Sequence, residues 1–160
     1  MENQETKNTL NEIITTNYKK VKELRDLGID PYPPRYEITH KIADIRKLEL
    51  NSHVKTAGRV MLLRVMGKAS FANIKDSTGT IQIYLKKDIL NNKYDIFKKY
   101  MTTGDFIGVE GKTFKTHTGE LTINVEDFTL LAKSIRPLPE KWHGLVDQET
   151  RYRNRYLDLM

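Results

Sequence analysis

Two short runs near the middle of the chain alternate apolar and polar residues with a period of two. Within residues 70–76 and 80–86 the alternating aliphatic side chains are Ala72, Ile74, Ile81, Ile83 and Leu85. Such alternation predicts two strands that each bury one face. The intervening Asp76-Ser77-Thr78-Gly79 is typical of a tight turn, so we expect the two strands to form an antiparallel hairpin.

A tight turn centred on Ser77 and Thr78 fixes the register of this hairpin. The predicted cross-strand pairs are Lys75 with Thr80, Asn73 with Gln82, and Phe71 with Tyr84. This register leaves aromatic rings, carboxamides and a lysine on the solvent-facing side, which suits stacking and hydrogen bonding to unstacked bases. Two other interpretations stay open: Phe71 could fold down as a satellite of the core, and Asn73 with Gln82 could form a simple polar pair.

The remaining periodic segments predict three helices and three strands. The helices are expected over residues 6–27, 39–48 and 89–101, and the strands over residues 54–66, 106–115 and 120–131. The first helix carries an apolar stripe that we expect to pack on the adjacent domain, formed by Leu10, Ile13, Ile14, Tyr18, Val21 and Leu24. Gly28 is expected to end this helix and Thr39 to cap the second. Arg59 and Arg64 have opposite parity in the long first strand, which predicts a β-bulge or a strong bend.

The predicted order of elements is strand, strand, strand, helix, strand, strand. This order is typical of a five-stranded Greek-key barrel of the OB type. An open five-stranded α+β sheet is the alternative, but the bend predicted in the first strand favours the barrel, because that strand must join both halves of the sheet. We therefore predict a mainly β protein with flanking helices, in which an OB-fold barrel is preceded by an amphipathic helix.

Three divisions of the chain are predicted. They are a helical extension over residues 1–53, the barrel over residues 54–131, and a linker with the start of a further domain over residues 132–160. In the last of these, Arg136-Pro137-Leu138-Pro139 predicts a stiff extended linker. Asp147 is expected to cap a helix that runs to the last residue, and its unburied apolar stripe indicates a fragment of a longer protein.

Charge and composition narrow the classes of function. The net charge is +6, and the excess lies in residues 54–131, with twelve basic and eight acidic side chains, and in residues 132–160, with six and four. A basic barrel favours a polyanionic partner. The absence of cysteine from the sequence excludes disulfides and thiolate metal sites, and the four histidines have no metal-ligand spacing. No segment has the apolar length of a membrane span or of a signal peptide, so we expect a cytoplasmic protein without a membrane partner.

OB barrels bind oligonucleotides on strands two and three and on the loops beside them. On this chain that surface predicts an RNA-binding site at Arg64, Phe71, Gln82 and Glu120, with contributions from Lys68, Asn73, Tyr84 and His117. The ring of Phe71 offers a stacking surface, the amide of Gln82 both a donor and an acceptor, and the carboxylate of Glu120 an acceptor for a base N–H. No catalytic residues are predicted, because the sequence has no nucleophile and base in motif context and no phosphate-binding glycine loop after a strand.

Several segments resemble the bacterial lysyl-tRNA synthetases, a family of class II enzymes. They are Gly58-Arg59-Val60-Met61, Arg64 through Phe71, Gly79 through Tyr84, Lys115 through Leu121, Arg136-Pro137-Leu138-Pro139, His143-Gly144-Leu145, and Arg151 through Leu159. The resemblance implies that the barrel is the N-terminal anticodon-binding domain. It also implies that Phe71 stacks on the central anticodon uridine while Arg64, Gln82 and Glu120 contact the edges of that base and its neighbours. One departure is that Leu62 and Leu63 stand where many relatives have a polar or basic residue.

The same resemblance implies the activity of a longer protein. Members of this family activate lysine with ATP and magnesium, charge tRNA(Lys), and form homodimers through a catalytic domain. Their catalytic motifs would lie beyond Met160, so this chain is expected only to recognise the anticodon stem-loop, with the catalytic domain of the same chain as a second partner and no cofactor of its own. The alternatives from the residues alone are a stand-alone OB protein that binds any single strand, and a protein-interaction barrel.

Overall fold

Residues 4–137 are the part of the chain that the structure, a computed structural model, describes. They form four helices and five strands: α1 Gln4–Asp26, α2 Ile42–Ile45, β1 His53–Met66, β2 Ala69–Lys75, β3 Thr80–Lys86, α3 Lys87–Leu90, α4 Asn92–Tyr100, β4 Phe106–Lys115 and β5 Leu121–Ala132. The helix expected from Asp147 and the second half of the proline-rich linker, Leu138 and Pro139, lie outside the described residues. The division into segments at residues 53 and 131 stays a prediction.

The five strands close into a barrel in the order β1-β2-β3-β5-β4, with β4 pairing back onto β1. Neighbouring strands are antiparallel except β3 and β5, which run parallel. This topology confirms the predicted OB-type barrel and excludes the open sheet. Every strand contributes aliphatic side chains to the core, and burial of their apolar surface stabilises the fold. They are Val54, Val60, Ala72, Ile74, Ile81, Ile83, Leu85, Ile107, Val109, Ile123, Val125 and Leu130.

The hairpin of β2 and β3 has the predicted register, with Lys75 opposite Thr80, Asn73 opposite Gln82, and Phe71 opposite Tyr84. Asp76 organises the turn, because its Oδ1 accepts hydrogen bonds from the backbone N–H groups of Thr78 and Gly79 at 2.7 and 3.0 Å. Its Oδ2 accepts a bond from the N–H of Ile42, the first residue of α2. Burial alone would raise the pKa of Asp76, but the hydrogen bonds from Ile42, Thr78 and Gly79 outweigh it and hold the pKa below its ordinary value.

β1 contains the predicted bulge. Its pairing with β2 shifts register between Val60 and Leu62. Before the shift, Val54 and Val60 are buried in the core; after it, Leu63 packs against the core while Leu62 and Arg64 are exposed. The extra residue therefore changes which parity of β1 faces outward, and it places Arg64 on the outer surface.

Two of the predicted helices differ in the structure, one by its length and the other by an interruption. The helix expected over residues 39–48 is the single turn α2, and Thr39 does not cap it. The backbone of Thr39 instead pairs with β1, since its N–H donates to the Lys55 carbonyl at 2.8 Å and its Oγ1 accepts from the Lys55 N–H at 2.9 Å. The helix expected over residues 89–101 is divided into α3 and α4 at Asn91, whose φ of 52° interrupts a right-handed helix.

α1 buries only the C-terminal half of its apolar stripe. Val21 and Leu24 are buried, whereas Tyr18 exposes 61% of its surface. The prediction that Tyr18 completes the stripe is wrong, because Asn17 occupies the buried position and the next residue points about 100° further around the helix. The predicted end of the helix is confirmed: Gly28 has a φ of 79°, and its N–H donates to the Arg25 carbonyl.

A buried ion pair joins the segment after β5 to the turn before β4. The Nζ of Lys133 lies 2.8 and 3.0 Å from the two carboxylate oxygens of Asp105, and both side chains are fully buried. The carboxylate also accepts hydrogen bonds from the backbone N–H groups of Thr102 and Ser134, at 2.8 and 2.7 Å. Burial lowers the pKa of Lys133 from its ordinary value, and the charge of Asp105 opposes that shift. Such a pair is tolerated in the interior only while both partners are present.

Removal of Lys133 is expected to destabilise the protein strongly, because Lys133→Met leaves the carboxylate of Asp105 buried without its cation. We expect a loss of about 3–5 kcal/mol in the free energy of unfolding, measured by urea denaturation followed by circular dichroism. The matched control is Lys93→Met, because Lys93 pairs with Asp127 where both side chains are about half exposed. That variant should lose no more than about 1 kcal/mol, and equal losses in the two variants would contradict the role given to the buried pair.

Candidate nucleic-acid interface

The outer face of the barrel carries two rows of side chains that run across β1, β2, β3 and β5. In the first row the opposed residues are Leu62, Asn73, Gln82 and Thr122. In the second row they are Arg64, Phe71, Tyr84 and Asn124. Neighbouring strands lie about 5 Å apart, so each side chain in a row is within reach of the next one along the row. The bulge in β1 turns Leu62 and Arg64 outward. The registers of the β2–β3 hairpin and of the β3–β5 pair then place the other members of each row next to them.

A pocket of about 350 Å³ opens on this face. Its lining residues are Leu62, Arg64, Phe71, Ala72, Asn73, Gln82, Thr118 and Glu120. The volume is at the lower end of the range of small-ligand sites and suits one planar heterocycle. The lining combines one aromatic ring, a guanidinium, two carboxamides and one carboxylate, so it can stack on a ring while it donates to and accepts from that ring's edge.

Five of the eight predicted site residues line this pocket: Arg64, Phe71, Asn73, Gln82 and Glu120. The other three do not line it. Tyr84 lies behind Phe71, while Lys68 and His117 are exposed in the loops before β2 and before β5. The structure thus brings the principal residues together, and their roles toward a ligand stay predictions.

Three lining residues were not singled out from the sequence as parts of a site. Leu62 had a detectable signal, because it lies two positions before Arg64 and therefore on the same face of the same strand. Ala72 was expected only in the core. Thr118 stands beside His117 in the predicted loop, but no local pattern distinguishes its hydroxyl from that of Thr116.

Phe71 and Tyr84 form a stacked pair on the outer face. Their ring centroids are 4.5 Å apart and the ring planes differ by 24°. Phe114 lies beyond Tyr84, at a centroid distance of 6.1 Å. Phe71 is partly buried and is not a member of the core cluster. One face of the Phe71 ring is thus covered by Tyr84, and this contact fixes the ring that borders the pocket.

Thr122 connects Gln82 to Glu120. The hydroxyl of Thr122 lies 3.4 Å from the side-chain oxygen of Gln82 and 3.1 Å from the backbone carbonyl of Glu120. Because its oxygen is turned toward Thr122, the NH₂ group of Gln82 remains as a donor of two hydrogen bonds.

The backbone of Glu120 is also held from the side of the β4–β5 loop. Its N–H lies 3.2 Å from the Thr116 hydroxyl, and its carbonyl accepts the N–H of Thr116 at 3.0 Å. Gly119, with a φ of 83°, supplies the left-handed turn that brings the chain into β5. The exposed carboxylate of Glu120 therefore projects from a fixed backbone at the rim of the pocket.

Two other features, a metal-binding cluster and a membrane-spanning helix, are absent from the described residues. Within residues 4–137 no three histidine, aspartate or glutamate side chains are arranged to hold a metal ion. His53 lies beside two carboxylates, with its Nε2 3.4 Å from Glu110 and 3.8 Å from Glu126. In the same part of the chain no helix is both long and apolar enough to cross a bilayer.

Comparison with known proteins agrees with the barrel fold. The tRNA anti-codon family, described as an OB-fold nucleic acid binding domain, matches residues 54–131. The lysine–tRNA ligase of Fervidobacterium nodosum is 49% identical over 150 residues, which are 89% of this chain and 29% of that protein. The enzyme of the same name from Carboxydothermus hydrogenoformans is 49% identical over 164 aligned residues, 100% of this chain and 33% of that protein. A third, from Staphylococcus haemolyticus, is 45% identical and covers 94% of this chain and 33% of that protein. The chain spans about a third of the length of these relatives.

Proposed function

This chain belongs to the lysine–tRNA ligase family, and on that premise we propose that its barrel binds the anticodon loop of tRNA(Lys). The observation that carries the proposal is the pocket between Arg64, Phe71 and Glu120, which joins a fixed aromatic ring to donors and an acceptor at one place. Proteins recognise single-stranded RNA by this combination of stacking and edge contacts. The pocket has room for one base, which we assign to the central anticodon uridine.

The polar groups of the pocket match the edge of uracil better than that of cytosine. Uracil presents an N3–H donor between two carbonyl oxygens, whereas cytosine presents an acceptor at N3 beside an amino group. In the proposed complex the carboxylate of Glu120 accepts from N3–H, and the NH₂ group of Gln82 and the guanidinium of Arg64 donate to the carbonyl oxygens. Cytosine would set its N3 lone pair against the carboxylate and its amino group against another donor.

Glu120 separates this proposal from general binding of single strands. A protein that binds any single strand uses stacking and positive charge, and a carboxylate close to the phosphates weakens such binding. The carboxylate is favourable where it accepts a hydrogen bond from a base edge, because base contacts specify sequence and phosphate contacts do not. A stand-alone, sequence-tolerant binder is therefore the second candidate, and it has the basic excess of residues 54–131 in its favour.

We propose that the rest of the activity belongs to a longer protein of which this barrel is the recognition part. Such a protein would charge tRNA(Lys) with lysine, with ATP and magnesium, in a catalytic domain that follows the barrel, and it would act in the cytoplasm as a homodimer. Residues 4–137 offer no cluster of carboxylates that could hold the magnesium ion.

The direct test is a fluorescence-anisotropy titration of the chain with two anticodon stem-loops. One carries the anticodon UUU, and the other has its central uridine replaced by cytidine. We expect the uridine loop to bind about tenfold more tightly or better, since a well-placed pair of edge contacts contributes about 1–3 kcal/mol of discrimination. Equal affinities with a steep dependence on salt would instead indicate the sequence-tolerant binder, and no salt-dependent binding at all would indicate a protein-interaction barrel.

The stacking role of Phe71 predicts a loss of affinity for both loops. Phe71→Ala should weaken binding of the uridine loop by about 1–3 kcal/mol, because one base loses its aromatic platform. Phe106→Ala is the matched control, because Phe106 is an exposed ring at the start of β4 and does not line the pocket. Equal effects of the two substitutions in the same titration would contradict the assignment.

The edge-reading role of Gln82 predicts a different signature. Gln82→Ala removes the donor but leaves the ring and the basic groups, so the difference in affinity between the two loops should shrink more than the affinity for either loop falls. Lys68→Ala serves as the comparison, since Lys68 lies outside the pocket lining and should lower both affinities and the salt slope together. A loss of discrimination in the Lys68 variant with an unchanged salt slope would show that the two roles had been assigned the wrong way round.

A further inference from the structure

A third row of side chains crosses the outer face of the barrel beyond the two rows described above. Its opposed residues are Met66, Ala69 and Lys86. Each stands two positions along its strand from a member of the second row, so the third row lies on the same outer face and about 7 Å further along the strands. Lys86 is the only charged side chain in this row.

The side chain of Lys86 is held on this face by an aromatic ring. Its Nζ lies 5.3 Å from the centroid of the Tyr84 ring, and the residue is partly buried. The Tyr84 ring is itself stacked on Phe71. A cation–π contact orients an ammonium group without neutralising it, and within residues 4–137 Lys86 forms no ion pair. A cation without a carboxylate partner therefore stands one ring away from the ring that borders the pocket.

The end of the barrel beside Lys86 is fixed by α3 and α4. The N–H of Lys87, the first residue of α3, donates to the Lys68 carbonyl at 2.9 Å. The hydroxyl of Tyr94, a buried residue of α4, donates to the neighbouring Gly67 carbonyl at 2.7 Å. Both carbonyls of the turn between β1 and β2 are thus occupied. Lys86 therefore belongs to a surface that is ordered before any ligand binds, which lowers the entropic cost of binding.

Glu120 and Lys86 lie on opposite sides of the ring of Phe71. Glu120 comes just before the first-row residue of β5, whereas Lys86 lies beyond the second row on β3, and the two strands run parallel. An RNA chain whose base occupies the pocket carries a phosphate on either side of that base. A phosphate on the side of Glu120 meets a carboxylate, which weakens binding, whereas a phosphate on the opposite side meets a cation.

We propose that Lys86 binds a backbone phosphate of the RNA chain whose base occupies the pocket, on the side of Phe71 opposite Glu120. The proposal rests on the function proposed above and adds the path of the RNA backbone, which leaves the pocket toward the turn between β1 and β2. A phosphate contact of this kind positions the RNA and carries no sequence information. Lys87 does not share this role, because its Nζ pairs with Asp95 at 3.3 Å.

A matched pair of substitutions tests this assignment in the chain of 160 residues. Lys86→Met and Lys87→Met each remove one positive charge from adjacent positions and keep most of the apolar stem. The uridine and cytidine stem-loops described above are titrated by fluorescence anisotropy at a series of salt concentrations. Lys86→Met should weaken binding of both loops by the same factor and reduce the slope of log affinity against log salt concentration by about 0.7–0.9, the value for one phosphate contact. Lys87→Met should change the slope by less than half of that amount. Lys86→Gln should repeat the result for Lys86→Met, and Lys86→Arg should keep the slope of the unmodified chain.

Binding by the unmodified chain separates this inference from the function on which it rests. If the unmodified chain binds neither loop, both fail. If it binds, equal slopes for Lys86→Met and Lys87→Met would overturn the role of Lys86 without affecting the preference of the unmodified chain for uridine, on which the proposed function is judged. An unchanged slope in Lys86→Met with an altered ratio between the two loops would also overturn it, because Lys86 would then contact the base and not a phosphate.

Discussion

The β-bulge between Val60 and Leu62 is the constraint on which the outer face depends. A strand has a period of two, so one inserted residue exchanges its buried and exposed positions. In β1 this exchange keeps Val54 and Val60 in the core and still delivers Leu62 and Arg64 to the surface. A regular strand would direct the guanidinium of Arg64 into the barrel, where a charge is strongly disfavoured. β1 pairs with β4 from His53 to Arg59 and with β2 from Arg59 to Met66, so it joins the two halves of the barrel.

The pocket that results is largely fixed before any ligand arrives. Tyr84 supports the ring of Phe71 from behind, and Thr122 lies between the amide of Gln82 and the backbone of Glu120. Side chains that are already ordered lose less conformational entropy on binding, which leaves more of the interaction energy for affinity and discrimination. The features that stabilise the barrel and those that prepare the pocket are therefore the same strand pairings.

Local patterns in the sequence were sufficient for much of this arrangement. Period-two alternation and the turn at residue 76 determined the hairpin and its register, and the parities of two arginines revealed the bulge. The same patterns did not predict the features that are determined by contacts between residues far apart in the chain. Pairing of Thr39 with Lys55 shortened α2, and nothing near Thr122 or Lys133 indicates the partners that they meet far along the chain. Thr118 was missed because its contribution depends on how the loop is placed, and its residue type carries no signal.

The ion pair of Lys133 has a consequence for how the exit of the chain can detach. The ammonium group of Lys133 is enclosed together with the carboxylate of Asp105 and cannot be hydrated gradually. The residues after β5 therefore cannot detach from the barrel one at a time. Release of Lys133 also removes a bond to Thr102 and loosens the carbonyl that holds Tyr32. These contacts form one cooperative unit, whose amide protons should exchange with solvent together in a single sub-global opening. A force applied to the chain beyond the barrel would therefore detach this segment in one cooperative step.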